Sequence, residues 1–197
     1  LVGSMDGNVL SDASLAATLP GGTQIGLKGM LDFAGDQPAL DAALTMTSDS
    51  LRDTLAWAGL PVDGVPLERL RQAALTGRLA GKPIDLALTD ATGTLDTTAI
   101  SGALTVTRRD RLGIGLRLTL DRLDLDAYRP AGAAPLWQAL PSLLDGVDMS
   151  IQARADLLTL EHLPAEKLSV DAEWNGNALI LREASAASLA GVEVKAN

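Results

Sequence analysis

Cysteine is absent from this 197-residue chain, and histidine occurs once, at His162. That excludes disulfide staples, thiol catalysis and cysteine metal sites. A single histidine leaves no zinc ligand set and no histidine triad with an ordered partner nearby, so it reads as a turn residue. Aromatic residues are scarce as well. Phe33, Trp57, Tyr128, Trp137 and Trp174 together make 3% of the chain. The interior must therefore come from Leu, Ile, Val, Met and Ala, and the aromatic platforms of a sugar site are missing. Positive charge is short: 16 basic residues face 25 acidic ones, for a net charge of -9. Nucleic acid is not an expected partner, because such a surface needs a basic patch. The most basic spot, Arg108, Arg109 and Arg111 around Asp110, reads as a solvated turn. No apolar run of about 20 residues exists. No signal peptide is visible, since Leu1 opens directly into strand-like sequence, and the chain reads as a piece of something longer.

Other chemical constellations fail on spacing. Asp121, Asp124 and Asp126 begin like a calcium loop. The sixth position should be Gly and the twelfth Glu, but they hold Asp126 and Gly132. Alternating with Leu, these carboxylates read as the wet side of a strand. Gly21-Gly22 reads as a turn, because no helix follows to cradle a phosphate. No catalytic residue, metal or cofactor is expected, and the chain is not read as an enzyme.

What the chain does have is period-2 alternation, with 47% hydrophobic residues and 19 glycines. Ile25, Leu27, Gly29, Leu31 and Phe33 share one parity, and Leu40, Ala42, Leu44 and Met46 follow. The turn sequence Gly35-Asp-Gln-Pro38 between them makes a hairpin. The figure recurs in Ile84, Leu86 and Leu88, in Ile100, Gly102, Leu104 and Val106, and in Ile114, Leu116, Leu118 and Leu120. Met149, Ile151, Ala153 and Ala155 form another run. Val170, Ala172 and Trp174 come next, then Leu179 to Leu181 after an Asn-Gly-Asn turn, and Val192 with Val194. Such alternation predicts sheets with one buried and one wet face.

Two stretches break the period. Ser50-Leu-Arg-Asp53 resembles a capping box, with Leu51, Leu55 and Ala58 at helical spacing and Gly59 at the end, which predicts a helix over 50–58. Leu136 to Leu144, between Pro135 and Gly146, predicts a second short helix interrupted by Pro141. Residues 66–77 are ambiguous: 66–70 fits a helical turn, but from Arg71 the alternation of Ala73, Leu75, Gly77 and Leu79 favours a strand.

Strand phrases repeat. Leu44-Thr-Met-Thr-Ser-Asp-Ser-Leu51 matches Leu116-Arg-Leu-Thr-Leu-Asp-Arg-Leu123 and Ile151-Gln-Ala-Arg-Ala-Asp-Leu-Leu158. Lys28-Gly-Met-Leu-Asp-Phe33 matches Ser101-Gly-Ala-Leu-Thr-Val106, and Ala190-Gly-Val-Glu-Val194 is a third Gly-led strand. The first two units lie about 72 residues apart, too long for a one-strand solenoid turn. The expectation is one continuous segment over 1–197, with units near 7–59, 78–130 and 148–197. Each is a multi-strand module that buries its apolar face by continuing into its neighbour.

Asp121-Arg-Leu-Asp-Leu-Asp-Ala-Tyr-Arg-Pro130, and Thr94-Leu-Asp96 leading to Ser101-Gly102, resemble the strand-exit phrases of the AsmA-like family (AsmA/TamB type, the repeating β-groove, bridge-like lipid transfer proteins). The resemblance continues through Leu136 to Leu181, including Lys167-Leu-Ser-Val-Asp-Ala and Leu179-Ile-Leu. The resemblance implies a mainly β fold: a curled, repeat-built antiparallel sheet forming an open apolar groove, with a few short helices. It implies a periplasmic part of a Gram-negative envelope protein whose full length is anchored in the inner membrane. The implied partners are phospholipid or another acyl lipid and other envelope proteins. The implied role is to conduct acyl chains between the two membranes and support outer-membrane homeostasis. The alternative is an assembly scaffold that binds outer-membrane β proteins through sheet edges. The expected groove lining is Ile25, Leu27, Leu31, Phe33, Leu44, Met46, Ile84, Leu86, Leu88, Leu104, Val106, Ile114, Leu116, Leu118 and Ile151. A filled core would bury these residues, whereas a groove leaves them accessible.

Overall fold

The computed structural model describes residues 2–60, 62–129, 144, 146–176, 178–189 and 192–196. The fold is mainly β. Its strands are β1 (Val2–Asp6), β2 (Val9–Leu19), β3 (Thr23–Asp32), β4 (Ala39–Ser48), β5 (Ala73–Lys82) and β6 (Asp85–Leu95). They continue with β7 (Thr98–Arg108), β8 (Leu112–Asp124), β9 (Val147–Leu160), β10 (Leu163–Trp174), β11 (Leu179–Leu189) and β12 (Val192–Ala196). All twelve lie in one sheet, in sequence order. The sheet is not closed, since β1 and β12 each have a single neighbour.

Neighbouring strands are antiparallel except β8 and β9, which run parallel. A parallel pair needs a connection that returns to the starting end of the sheet. The other connections join neighbouring strands at the same end of the sheet. Purely antiparallel pairing was the expectation, and this one crossover is the departure from it.

Helix α1 (Leu51–Trp57) is the one α-helix among the described residues, and it matches the period break. Its start is not the expected capping box, for the Ser50 side chain makes no cap hydrogen bond. Arg52 anchors the helix instead, donating to the carbonyls of Val62 at 3.0 Å and Val65 at 2.7 Å. Gly59 follows with φ 78, a left-handed exit that suits glycine. The open stretch resolves as turns and loop up to Gln72, with the strand beginning at Ala73. The helix expected over 136–144 lies outside the described residues, except for Leu144.

Two bulges recur at matching places. Asp12 in β2 and Asp90 in β6 are left-handed, with φ 52 and φ 50. The register shifts at both, between Leu10 and Ala13 and between Leu88 and Ala91. The neighbouring glycines match too. A Cβ at Gly3 would press on Leu10 Cδ1, and one at Gly77 would press on Leu88 Cδ1. One extra residue flips side-chain parity, so Leu10 and Leu15, or Leu88 and Gly93, end on the same face despite odd spacing. Gly29, Gly93 and Gly102 also lie so close to the next strand that a Cβ would overlap a carbonyl oxygen of Asp41, Ala74 or Arg117. Glycine kinks and bulges are the devices that bend a sheet out of flatness.

No second layer packs on this sheet among the described residues. Away from adjoining strands, broad contact is confined to α1 and β4 against the Pro20–Gly22 turn. Full burial is accordingly rare and falls mainly on small residues such as Ala42, Ala91, Ala155 and Ala165, with Leu10, Val62 and Leu120 the larger ones. The most enclosed side chain is Thr23, fully buried where β3 leaves that turn. Its hydroxyl donates to Ser48 Oγ at 2.6 Å and lies 2.5 Å from Thr54 Oγ1, which ties β3, β4 and α1 together.

Thr23→Val keeps the shape and leaves the Ser48 and Thr54 hydroxyls without this partner. It is expected to cost about 1–3 kcal/mol in urea unfolding. A loss within experimental error would show that the hydroxyl cluster does not anchor the helix.

Candidate functional site

The register builds the apolar face row by row. One row starts at Met5 and runs through Leu10, Leu31, Leu40, Gly81, Leu86, Val106, Ile114, Met149, Trp174 and Leu179, crossing eleven strands. The next runs through Ala13, Gly29, Ala42, Leu79, Leu88, Leu104, Leu116, Ile151, Ala172 and Leu181. A third links Ala91, Gly102, Leu118, Ala153, Val170 and Ala184. A fourth links Ala17, Ile25, Met46, Leu75, Gly93, Ile100, Leu120 and Ala155. None of these rows contains a charged residue. Strands spaced about 4.8 Å apart make each row a continuous apolar track perpendicular to the strands.

Thirteen of the fifteen expected lining residues stand on this face. Ile25 pairs with Met46 and Leu27 with Leu44. Leu31, Leu86, Val106 and Ile114 share the first row; Leu88, Leu104, Leu116 and Ile151 share the second; Leu118 is in the third. The other two are displaced. Phe33 follows the last residue of β3, and its N–H donates to the Asn8 carbonyl at 2.8 Å. Ile84 sits in the β5–β6 turn rather than in a strand, because the hairpin closes tightly over Pro83 and Ile84. Both are 47% exposed.

Not one of the fifteen is buried; the thirteen on the face are half-buried. On the opposite face, smaller residues such as Ala43, Thr45, Thr47 and Thr105 are exposed. The apolar face is open as well as half-buried: Met5, Leu15, Leu179 and Leu181 on it are 64%, 45%, 58% and 52% exposed. A filled core would bury them.

Several lining residues escaped the sequence reading. Leu10 and Leu15 lie in β2, where the bulge at Asp12 breaks the alternation. Leu75 and Leu79 lie in β5, whose start was left open. Trp174 joins the face at its end, and its indole N–H donates to the Leu144 carbonyl at 3.2 Å.

Charge is kept on the other face and at the strand ends. Arg78 grips Asp41 through two nitrogens at 2.7 and 2.5 Å. Gln152 accepts from Arg117 and donates to Asp171. Asp121 and Asp124 lie at the end of β8, as the alternation predicts, and Asp126 lies just beyond it; all three carboxylates accept backbone N–H groups. Asp121 accepts from the Ala99 N–H at 2.8 Å, and Asp124 accepts from Asp126 and Ala127. Asp126 accepts from the N–H groups of His162 and Glu161, and the former chiefly lowers its pKa below the ordinary 3.8. His162 is 93% exposed on a left-handed turn. Among the described residues, no cluster of three His, Asp or Glu side chains is arranged to hold a metal, and no helix is long and apolar enough to cross a membrane.

Asp96, in the β6–β7 turn, has a similar capping role. It accepts from the Leu70 and Arg71 N–H groups and from the Tyr128 hydroxyl at 2.8 Å. Comparison with protein families, curated proteins and solved structures finds no match for this chain.

Burial first, and then the bond to the Asp96 carboxylate, push the Tyr128 phenol up to about 12. A folded value above the unfolded one of 10.0 means that stability from this contact is complete below pH 10. It is lost as pH rises toward 12. Tyr128 is the one tyrosine, so ultraviolet titration of the phenolate reads it alone. A midpoint near 10 in the folded chain would contradict the contact.

Proposed function

We propose that this chain is a lipid-shielding segment of an AsmA-like envelope protein, holding acyl chains along the inner face of its sheet. The observation that carries the reading is the uncharged, half-exposed face that runs unbroken across eleven strands with no layer packed on it among the described residues. Soluble domains rarely leave so large an apolar surface without an occupant.

The energetics favour an acyl chain. Exposing one costs about 0.8 kcal/mol per CH₂, so a chain of about 16 carbons gains on the order of 10 kcal/mol from shielding. Aliphatic rows give that shielding without directional contacts. They also repeat at each strand, so a lipid gains little by stopping at one position over the next. Few aromatic residues interrupt the face, which leaves shallow walls rather than deep pockets. The head group stays in water at the open side, and no charge clamp is needed. On this reading the segment belongs to the periplasm, the full-length protein is anchored in the inner membrane, and the groove conducts phospholipid or another acyl lipid between the membranes without catalysis.

A second reading, a scaffold that binds outer-membrane β proteins, is favoured by the parts of β2 and β11 that pair with a strand on one side only among the described residues. The two readings differ at the face. A scaffold tolerates a carboxylate in the groove; a lipid carrier does not.

Mass spectrometry of extracts from the purified chain is expected to find bound acyl lipid. Leu104→Asp with Leu116→Asp should reduce it at least about tenfold, the consequence of about 1.4 kcal/mol or more of lost shielding. Thr105→Asp, on the opposite face, should leave it unchanged. Equal lipid in all three proteins would remove the groove from the account and favour the scaffold.

A further inference from the structure

The uncharged rows stop one step short of a charged rim. Arg122 stands two residues beyond Leu120 on β8 and pairs with Leu157 of β9. It shares the parity of Leu118 and Leu120, so its side chain leaves the sheet on the apolar face. On β7 the matching position is Thr98, two residues before Ile100, which pairs with Leu120. Both line a cleft of about 170 Å³ that Arg69, Tyr128, Leu157 and Thr159 also line.

The cleft puts two cations at the margin of an apolar surface. The Arg69 guanidinium lies 5.5 Å from the centre of the Tyr128 ring. Neither Arg69 nor Arg122 forms an ion pair with a carboxylate among the described residues. The nearby acids are engaged elsewhere. Asp96 accepts from Leu70, Arg71 and Tyr128, and Asp124, which also lines the cleft, accepts from the Asp126 and Ala127 N–H groups. Thr98 supplies a third donor. It is only 4% exposed, yet its hydroxyl has no hydrogen-bond partner among the described residues. Buried polar groups are nearly always bonded, so this hydroxyl is a donor left unused by the fold.

We propose that this cleft holds the phosphate of an acyl lipid whose tails lie on the apolar rows, a step that rests on the lipid-shielding reading. Two guanidinium groups and a hydroxyl suit the oxygens of a phosphate diester, which arginine binds in pairs. From the cleft the tails pass Leu157, 40% exposed, and reach Leu120 and Ala155 in the fourth row. Shielding the tails needs no charge, so what the cleft adds is selection. It favours an anionic phospholipid over a neutral glyceride with the same tails.

The test offers the delipidated chain equal amounts of phosphatidylglycerol and diacylglycerol with identical acyl chains, delivered from cyclodextrin. Bound lipids are then counted by mass spectrometry of the re-isolated protein. The ratio of phosphatidylglycerol to diacylglycerol is expected to fall at least about fivefold in Arg122→Gln and in Arg69→Gln, and by less in Thr98→Val. Diacylglycerol uptake stays at the parent level in all three, which shows that they fold. Arg154→Gln, on the opposite face, keeps the parent ratio. Excess inorganic phosphate, compared with chloride at equal ionic strength, should leave the ratio unchanged. A ratio that no variant alters overturns the site and leaves the lipid reading standing, whereas a chain that takes up neither lipid overturns both. A preference abolished by inorganic phosphate would assign the cleft to a free anion and contradict the head-group site.

Discussion

Backbone hydrogen bonds between adjoining strands are the interaction that reaches across this molecule. No second sheet and no helix layer lies over it among the described residues, so ladder register decides which side chains meet. A slip of one residue in any strand would turn its leucines to the other side. The bulges at Asp12 and Asp90 are such slips, and they are put to use. Each returns the second half of its strand to the apolar side. Gly3 and Gly77, in the strands that adjoin the two bulged ones, make room for the same leucine contact.

That constraint also explains the distribution of burial. A single layer encloses few side chains completely, so the buried set is mostly alanine, with Thr23 in the hydroxyl cluster at the helix. Larger residues of the apolar face are shielded only in part, by their neighbours along the rows. Such a surface is stable enough to fold and still short of cover. An acyl chain would supply that cover, and this shortfall links fold to proposed function more directly than any single residue does.

Much of this was legible in the sequence. Regular alternation marked β3, β4, β7 and β8, and the shared face of thirteen candidate residues followed from parity alone. Where parity failed, a physical cause is visible. β2 went unread because Asp12 interrupts it, and β6 was read only as far as its bulge at Asp90. Phe33 and Ile84 have the right parity but lie beyond strand ends, which alternation cannot mark. The parallel β8–β9 pair was invisible, because relative strand direction is set by tertiary pairing and not by local pattern. Asp121 and Asp124 do lie in β8, as alternation indicated, but the N–H groups that their carboxylates and that of Asp126 accept, such as those of Ala99 and His162, are brought near by the fold.

The central claim is that one face is apolar, open and lipid-facing while the other, one residue away, is not. The absence of native cysteine permits a clean measurement. An environment-sensitive fluorophore is attached in turn at Leu104→Cys, Thr105→Cys, Leu116→Cys and Arg117→Cys, and phospholipid vesicles are added. The account predicts ready labelling at all four sites in the delipidated chain, with a blue shift on lipid addition at 104 and 116 and none at 105 and 117. A face closed to labelling at 104 and 116, or a response that ignores this alternation, would contradict it.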